Sequence, residues 1–97
     1  MSRIVSEILA FDGISHVVEA FDGKQYVVSS VKLDLPDYMA RLPSYETMIF
    51  RWNKTKQQIT NWKELGVVRY FEKDDCVSEH NEICENIEGY FERSEIK

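Results

Sequence analysis

The segment from residue 74 to residue 92 has its apolar side chains spaced with the period of an α-helix. At about 100° per residue, these side chains fall within an arc of roughly 140°. The stripe consists of Cys76, Val77, His80, Ile83, Cys84, Ile87, Tyr90 and Phe91. The rest of the circumference carries the acids Asp74, Asp75, Glu79, Glu82, Glu85, Glu88 and Glu92. The pattern predicts one amphipathic helix of about five turns, which must bury its apolar stripe against another layer of structure.

An Asp22-Gly23 pair separates two runs that are rich in β-branched and aromatic residues, 15–21 and 24–31. Asp-Gly in this setting predicts a β-hairpin, because a two-residue type I′ loop needs positive φ at both central positions. With such a loop Val18 would lie opposite Val27. Apolar side chains would then occupy both faces of the hairpin, so we expect both faces to be covered.

Residues 45–52 and 67–71 predict further strands, because both are rich in aromatic and β-branched residues. The N-terminus favours a short helix, in which Ser2 is the N-cap and Asp12-Gly13 the end. Its apolar residues are Ile4, Val5, Ile8 and Leu9. We therefore expect a single α+β domain over residues 1–97, in which a small antiparallel sheet of about four strands is packed by the long C-terminal helix, with a short N-terminal helix beside it.

The composition limits the classes of partner. The chain has 97 residues, with 12 Lys and Arg against 17 Asp and Glu, and a net charge of −5. The imbalance lies in residues 57–97, which carry five basic and ten acidic side chains. Nucleic-acid binders present a basic face to phosphates, so this charge disfavours nucleic acid as a partner.

There is no apolar run of the roughly 20 residues that span a membrane, and no signal-peptide pattern, so we expect a cytoplasmic protein with no membrane association.

Cys76, His80 and Cys84 recur at i, i+4 and i+8 and raise the question of a metal site. The outer pair is separated by roughly 12 Å of helical rise, which makes convergence on one zinc ion difficult. Packing of the helix on the sheet explains the same three positions without metal. We therefore expect no metal and no cofactor, two reduced buried thiols, and a half-buried His80 with one hydrogen bond to a strand.

No catalytic motif supports an enzyme. The sequence has no Gly-x-Ser-x-Gly, P-loop or Gly-x-Gly-x-x-Gly pattern. Cys76 follows two aspartates, and such an acidic setting disfavours a nucleophilic thiolate. The acids of the C-terminal helix face outward, whereas paired catalytic carboxylates face into a cleft. We expect a protein that is not an enzyme.

Several short pieces occur in a fixed order between residues 45 and 80. They are Tyr45-Glu46-Thr47-Met48-Ile49-Phe50, Ile59-Thr60-Asn61-Trp62-x-Glu64-Leu65, Arg69-Tyr70 and His80. In order and spacing they resemble a group of small, largely uncharacterised proteins of phages and prophages of Gram-positive bacteria. The resemblance implies a mobile-element setting. It implies no catalytic residues.

Two hypotheses for function follow. The first is a non-catalytic accessory protein that binds a host or phage protein through its acidic helix, with mimicry of nucleic-acid charge as a narrower version. Its contact residues would be Glu79, Glu82, Glu85, Glu88 and Glu92. The alternative is a small nucleic-acid-binding accessory module that uses a basic hairpin tip at residues 51–57. Its contact residues would be Arg51, Trp52, Lys54, Lys56 and the neighbouring Trp62.

Overall fold

A computed structural model describes residues 2–8, 13–39 and 41–95. The strands are β1 (Arg3–Glu7), β2 (Ile14–Glu19), β3 (Gln25–Lys32), β4 (Tyr45–Arg51) and β5 (Gly66–Tyr70). A 3₁₀ turn covers Asp37–Met39, and the helices are α1 (Lys73–Glu85) and α2 (Ile87–Glu95). The strands form one antiparallel sheet in the order β1-β2-β3-β4-β5. The predicted α+β class is confirmed, and the sheet has five strands where about four were expected.

The additional strand is β1, where the sequence predicted a short helix. Arg3 lies opposite Glu19, and the register shifts by a bulge between Ile4 and Ser6. The predicted helix is wrong because so short a helix is marginal alone, whereas the free edge of β2 supplies hydrogen bonds to an extended chain. Its expected end, at residues 9–12, lies outside the described residues.

The predicted hairpin is present with a different register. Val17 lies opposite Val27, one position away from the pairing expected for a two-residue loop. The loop has three residues, since the Ala20 N–H donates to the Lys24 carbonyl at 2.8 Å and encloses residues 21–23. Gly23 adopts φ 86°, the left-handed conformation that a three-residue hairpin loop requires.

Both faces of the sheet are covered, as the hairpin pattern predicted. The face toward the helices buries an apolar cluster around Val18, Val28 and Ile83. The opposite face buries Val17, Val27 and Phe50 against Ile59, which belongs to the segment that connects β4 to β5. Within the described ranges, no helix is long and apolar enough to cross a membrane.

The C-terminal stripe belongs to two helices, so the prediction of one continuous helix is wrong. The chain breaks at Asn86, where φ is −150° and ψ is 69°. Ser2 occupies the break, where its hydroxyl donates to the Cys84 carbonyl at 2.7 Å and accepts from the Ile87 N–H at 2.9 Å. Asn86 accepts from the Gly89 N–H at 3.2 Å and so caps the start of α2. The two helices can therefore follow the sheet at different angles.

Candidate functional site

The break between α1 and α2 creates a shallow groove on the outside of the molecule. Its acidic residues are Glu82 and Glu85 from α1 and Glu92 from α2. All three are exposed. Across the described part of the chain, none of the ion pairs involves any of them. We call this surface the junction groove. Arg93 also lines it, and Asn86 and Gly89 form the break itself.

The other two predicted contact acids have different surroundings. Glu88 is half-buried and its Oε2 accepts from the Phe21 N–H at 2.7 Å, so it joins α2 to the β2–β3 loop. Glu79 is also half-buried, and it lies beside Gly66 and Arg69 on the side of α1 that faces β5. The structure therefore brings three of the five predicted acids together, at the junction groove, and gives Glu88 a structural contact.

The basic segment after β4 forms a small hairpin of its own, closed by a bridge between Asn53 and Gln58. Two cations of the predicted tip at residues 51–57 contact groups of the same chain. The Arg51 guanidinium lies 5.6 Å from the centre of the Tyr26 ring, and Lys54 Nζ lies 3.6 Å from a Glu19 carboxylate oxygen. Lys56 is exposed at the tip.

The two tryptophans lie over the face of the sheet that the helices leave open. Trp52 is half-buried and packs against the apolar cluster of that face. Trp62 packs edge-on against Phe50, with 5.4 Å between ring centres, and remains 59% exposed. Both residues therefore contribute to covering the sheet. The predicted tip and Trp62 are separated by the chain from Gln58 to Asn61.

The interior of the helical side holds a polar cluster centred on His80. This residue is fully buried and has two hydrogen-bonding contacts, where half-burial and one bond were expected. Its Nε2 lies 2.9 Å from His16 Nδ1 on β2, and its Nδ1 lies 2.7 Å from Ser30 Oγ on β3. Ser30 in turn bonds Thr47 on β4 at 2.6 Å. Buried polar groups need such partners, and here the sheet supplies them.

Burial sets the protonation states of this cluster. Burial, with a smaller contribution from the charge of His16, lowers the pKa of His80 to about 4. Burial also raises the pKa of the Cys84 thiol to about 12, with a smaller contribution from the charge of Glu85. At neutral pH His80 is therefore an uncharged imidazole and Cys84 a protonated thiol.

The contact between the two histidines was not predicted from the sequence. His16 and His80 are 64 residues apart, and no local pattern relates them. A signal was present in the alternation of β2, which places His16 on the same face as Val18. Because the His80 stripe packs on that face, opposition of the two rings could have been considered.

Comparison of the chain with protein-family models, with curated proteins and with solved structures finds no match. The fold and its surfaces define a small α+β domain in which an antiparallel five-stranded sheet carries two acidic helices on one face.

Proposed function

We propose that this chain is a non-catalytic accessory protein, of the kind that phages and prophages encode, which binds a host or phage protein. The contact surface is the junction groove. The observation that carries the proposal is the convergence of Glu82, Glu85 and Glu92 on one concave surface, where none of the three forms an ion pair with another described residue. A partner that inserts a basic side chain there would relieve this charge.

The chemistry of the groove favours arginine or lysine on the partner. Like charges at i and i+3 or i+4 destabilise a helix by a few tenths of a kcal/mol per pair. A guanidinium can bind a carboxylate through two parallel hydrogen bonds, which adds orientation to charge attraction. In the narrower version of the proposal the carboxylates take the place of phosphates and block a nucleic-acid-binding protein of the host.

The test is affinity capture from host lysate with two charge-reversed proteins. In the first, Glu82, Glu85 and Glu92 are changed to Lys. In the matched control, the exposed acids Glu7, Asp34 and Glu64 are changed to Lys, which alters the net charge by the same amount. We expect the wild type and the control to recover the same partner, and the groove variant to lose it. Equal recovery by both variants, or no specific recovery by the wild type, would contradict the proposal.

Salt dependence gives a second readout with the recovered partner. Steering by exposed charges is screened over about 8–10 Å at physiological ionic strength. The association rate with the wild type should therefore fall as salt rises, and the dissociation rate should change less. An association rate that does not change with salt concentration would indicate an apolar contact elsewhere on the surface.

The alternative function is a nucleic-acid-binding accessory module that uses residues 51–57. The observation in its favour is a second groove, between this segment and the β2–β3 loop, which Lys24, Arg51 and Lys54 line together with Trp52. A mixed-sequence oligonucleotide should bind weakly and in a salt-dependent way if this function is correct. Changing Lys54 and Lys56 to Ala should then remove the binding, whereas the Glu82, Glu85 and Glu92 reversal should not.

A further inference from the structure

Three potential metal ligands converge in the interior, between the sheet and α1. They are His16 of β2 and, one turn apart on α1, His80 and Cys84. Their ligand atoms all lie within 4.8 Å of one another. We propose that these three residues bind one thiophilic d¹⁰ metal ion, Zn²⁺ or Cu⁺, and that the ion joins α1 to the sheet. The site is independent of the junction groove.

The distances fit a metal after small movements. His16 Nδ1 and His80 Nε2 are 2.9 Å apart. In a tetrahedral zinc site two imidazole nitrogens are about 3.3 Å apart, and a nitrogen and a sulfur about 3.6 Å. The rings must therefore separate slightly and the thiol must approach, by on the order of 1 Å. Two imidazoles and one thiolate are ligands that both zinc and copper accept.

The surroundings of His80 resemble the outer shell of a metal site. A ligating histidine commonly donates its second ring N–H to a fixed oxygen, which sets the tautomer and aims the ligand nitrogen. Ser30 Oγ lies 2.7 Å from His80 Nδ1, and Thr47 Oγ1 fixes that hydroxyl at 2.6 Å. With Nδ1 as the donor, the lone pair of Nε2 points at His16, where the ion would lie.

A metal–sulfur bond requires the thiolate form of cysteine. The Cys84 thiol must lose its proton to solvent when the metal–sulfur bond forms, and metal binding is therefore expected to release a proton and to strengthen as pH rises.

The number of ligands distinguishes a Cu⁺ site from a Zn²⁺ site. The described side chains of this cluster supply three ligand atoms. Cu⁺ is stable with three ligands, whereas Zn²⁺ prefers four and would take a water. Only His16 is half-buried, so that water would enter from its side. A closed site favours Cu⁺ and an accessible one Zn²⁺.

A metal site at this cluster differs from the sequence-based expectation of no metal, because the cluster contains a different set of ligands. The sequence suggested Cys76, His80 and Cys84, whose outer members are too far apart. In the structure His16 is the third ligand, and Cys76 instead contacts Thr47, with its Sγ 3.6 Å from Oγ1. Cys76 is therefore a matched control: a second buried cysteine on the same helix that is outside the group.

The test is a competition titration of the purified full chain against a chromogenic chelator, with Zn²⁺ in one arm and Cu⁺ under anaerobic conditions in the other. We expect one ion per chain in at least one arm. The Cys84→Ser and His16→Ala variants should each lose at least tenfold in affinity, and Cys76→Ser should retain it. Ser30→Ala should weaken metal binding by about 10–100-fold, since it removes the hydroxyl that bonds His80 Nδ1 and orients this ligand.

Cobalt supplies a readout of the sulfur ligand itself. Co²⁺ bound by the wild type should show a thiolate-to-cobalt charge-transfer band that is absent in Cys84→Ser and present in Cys76→Ser. If Cys84→Ser does not fold, His16→Ala decides the matter, because that side chain is half-buried. No binding in either arm, or equal loss in the Cys76 and Cys84 variants, would overturn the proposal and leave the hydrogen bond between His16 and His80 as a structural contact.

Discussion

The two sides of the helical layer differ in how completely the fold satisfies their side chains. On the inner side, Ile83 and Ile87 are fully buried and His80 bonds two strands. On the outer side, Glu82 and Glu85 are exposed and are in none of the ion pairs that the described residues form. Because the inner groups already have partners within the chain, their substitution should affect stability. Substitution of the outer groups should instead affect the binding of a protein partner.

The largest loss of stability is expected for Ile83→Ala. Ile83 is fully buried in the cluster between helix and sheet, and truncation there leaves a cavity. The free energy of unfolding should fall by about 2–5 kcal/mol in urea titrations. Glu82→Ala, one residue earlier and exposed, should change it by less than about 0.5 kcal/mol. Equal effects of the two variants would mean that α1 does not pack on the sheet as described.

Acid should destabilise the folded protein, because protonation of His80 is unfavourable in its buried position. Its folded pKa of about 4 is below the unfolded value of 6.5, so the unfolded chain binds more protons between these values. The free energy of unfolding therefore has its full value above pH 6.5. It decreases by roughly 3 kcal/mol as the pH falls toward 4.

The measurement is urea unfolding at a series of pH values in EDTA, with His80→Gln as the control. Carboxylates contribute to acid destabilisation in both proteins, so the difference between them isolates the histidine. Parallel pH curves for the wild type and His80→Gln would contradict the buried, uncharged state of His80.

His80→Ala should lower the free energy of unfolding by about 1–3 kcal/mol at neutral pH. The change leaves His16 and Ser30 without their partner and opens a cavity beneath α1. Asn81→Ala, at the next and exposed position, is the control and should have little effect. An unchanged urea midpoint for His80→Ala would contradict the burial of this side chain between α1 and the sheet.

A small effect on stability is expected for the combined change of Glu82, Glu85 and Glu92 to Lys. These residues lie toward the C-terminal halves of their helices, where the helix dipole favours cations. The stability should be unchanged or higher by at most about 1 kcal/mol, as measured by thermal unfolding, while binding is lost. A large destabilisation would mean that the carboxylates hold the helices in place.

The sequence predicted those elements whose signals are local. Helical periodicity located the stripe, and Asp22-Gly23 located the hairpin. The elements that were predicted wrongly depend on contacts with distant parts of the chain. β1 forms because β2 offers a free edge, and the helix breaks where Ser2 bonds Cys84 and Ile87. The hairpin register differed because Gly23 serves a three-residue loop as readily as a two-residue one.

The same distinction applies to the candidate sites. The outward position of Glu82, Glu85 and Glu92 followed from helical geometry. The contact of Glu88 with the Phe21 N–H could not be predicted, because it depends on how α2 meets the hairpin loop. The approach of His16 to His80 depends on the docking of α1, which no local pattern encodes.

The claim that the junction groove is the binding surface is tested most directly by hydrogen–deuterium exchange of the protein alone and in complex with the partner recovered by capture. The backbone amides of residues 82–92 should gain protection in the complex, and those of residues 51–62 should not change. Protection at residues 51–62, with none at 82–92, would contradict the account and move the interface to the basic tip and Trp62.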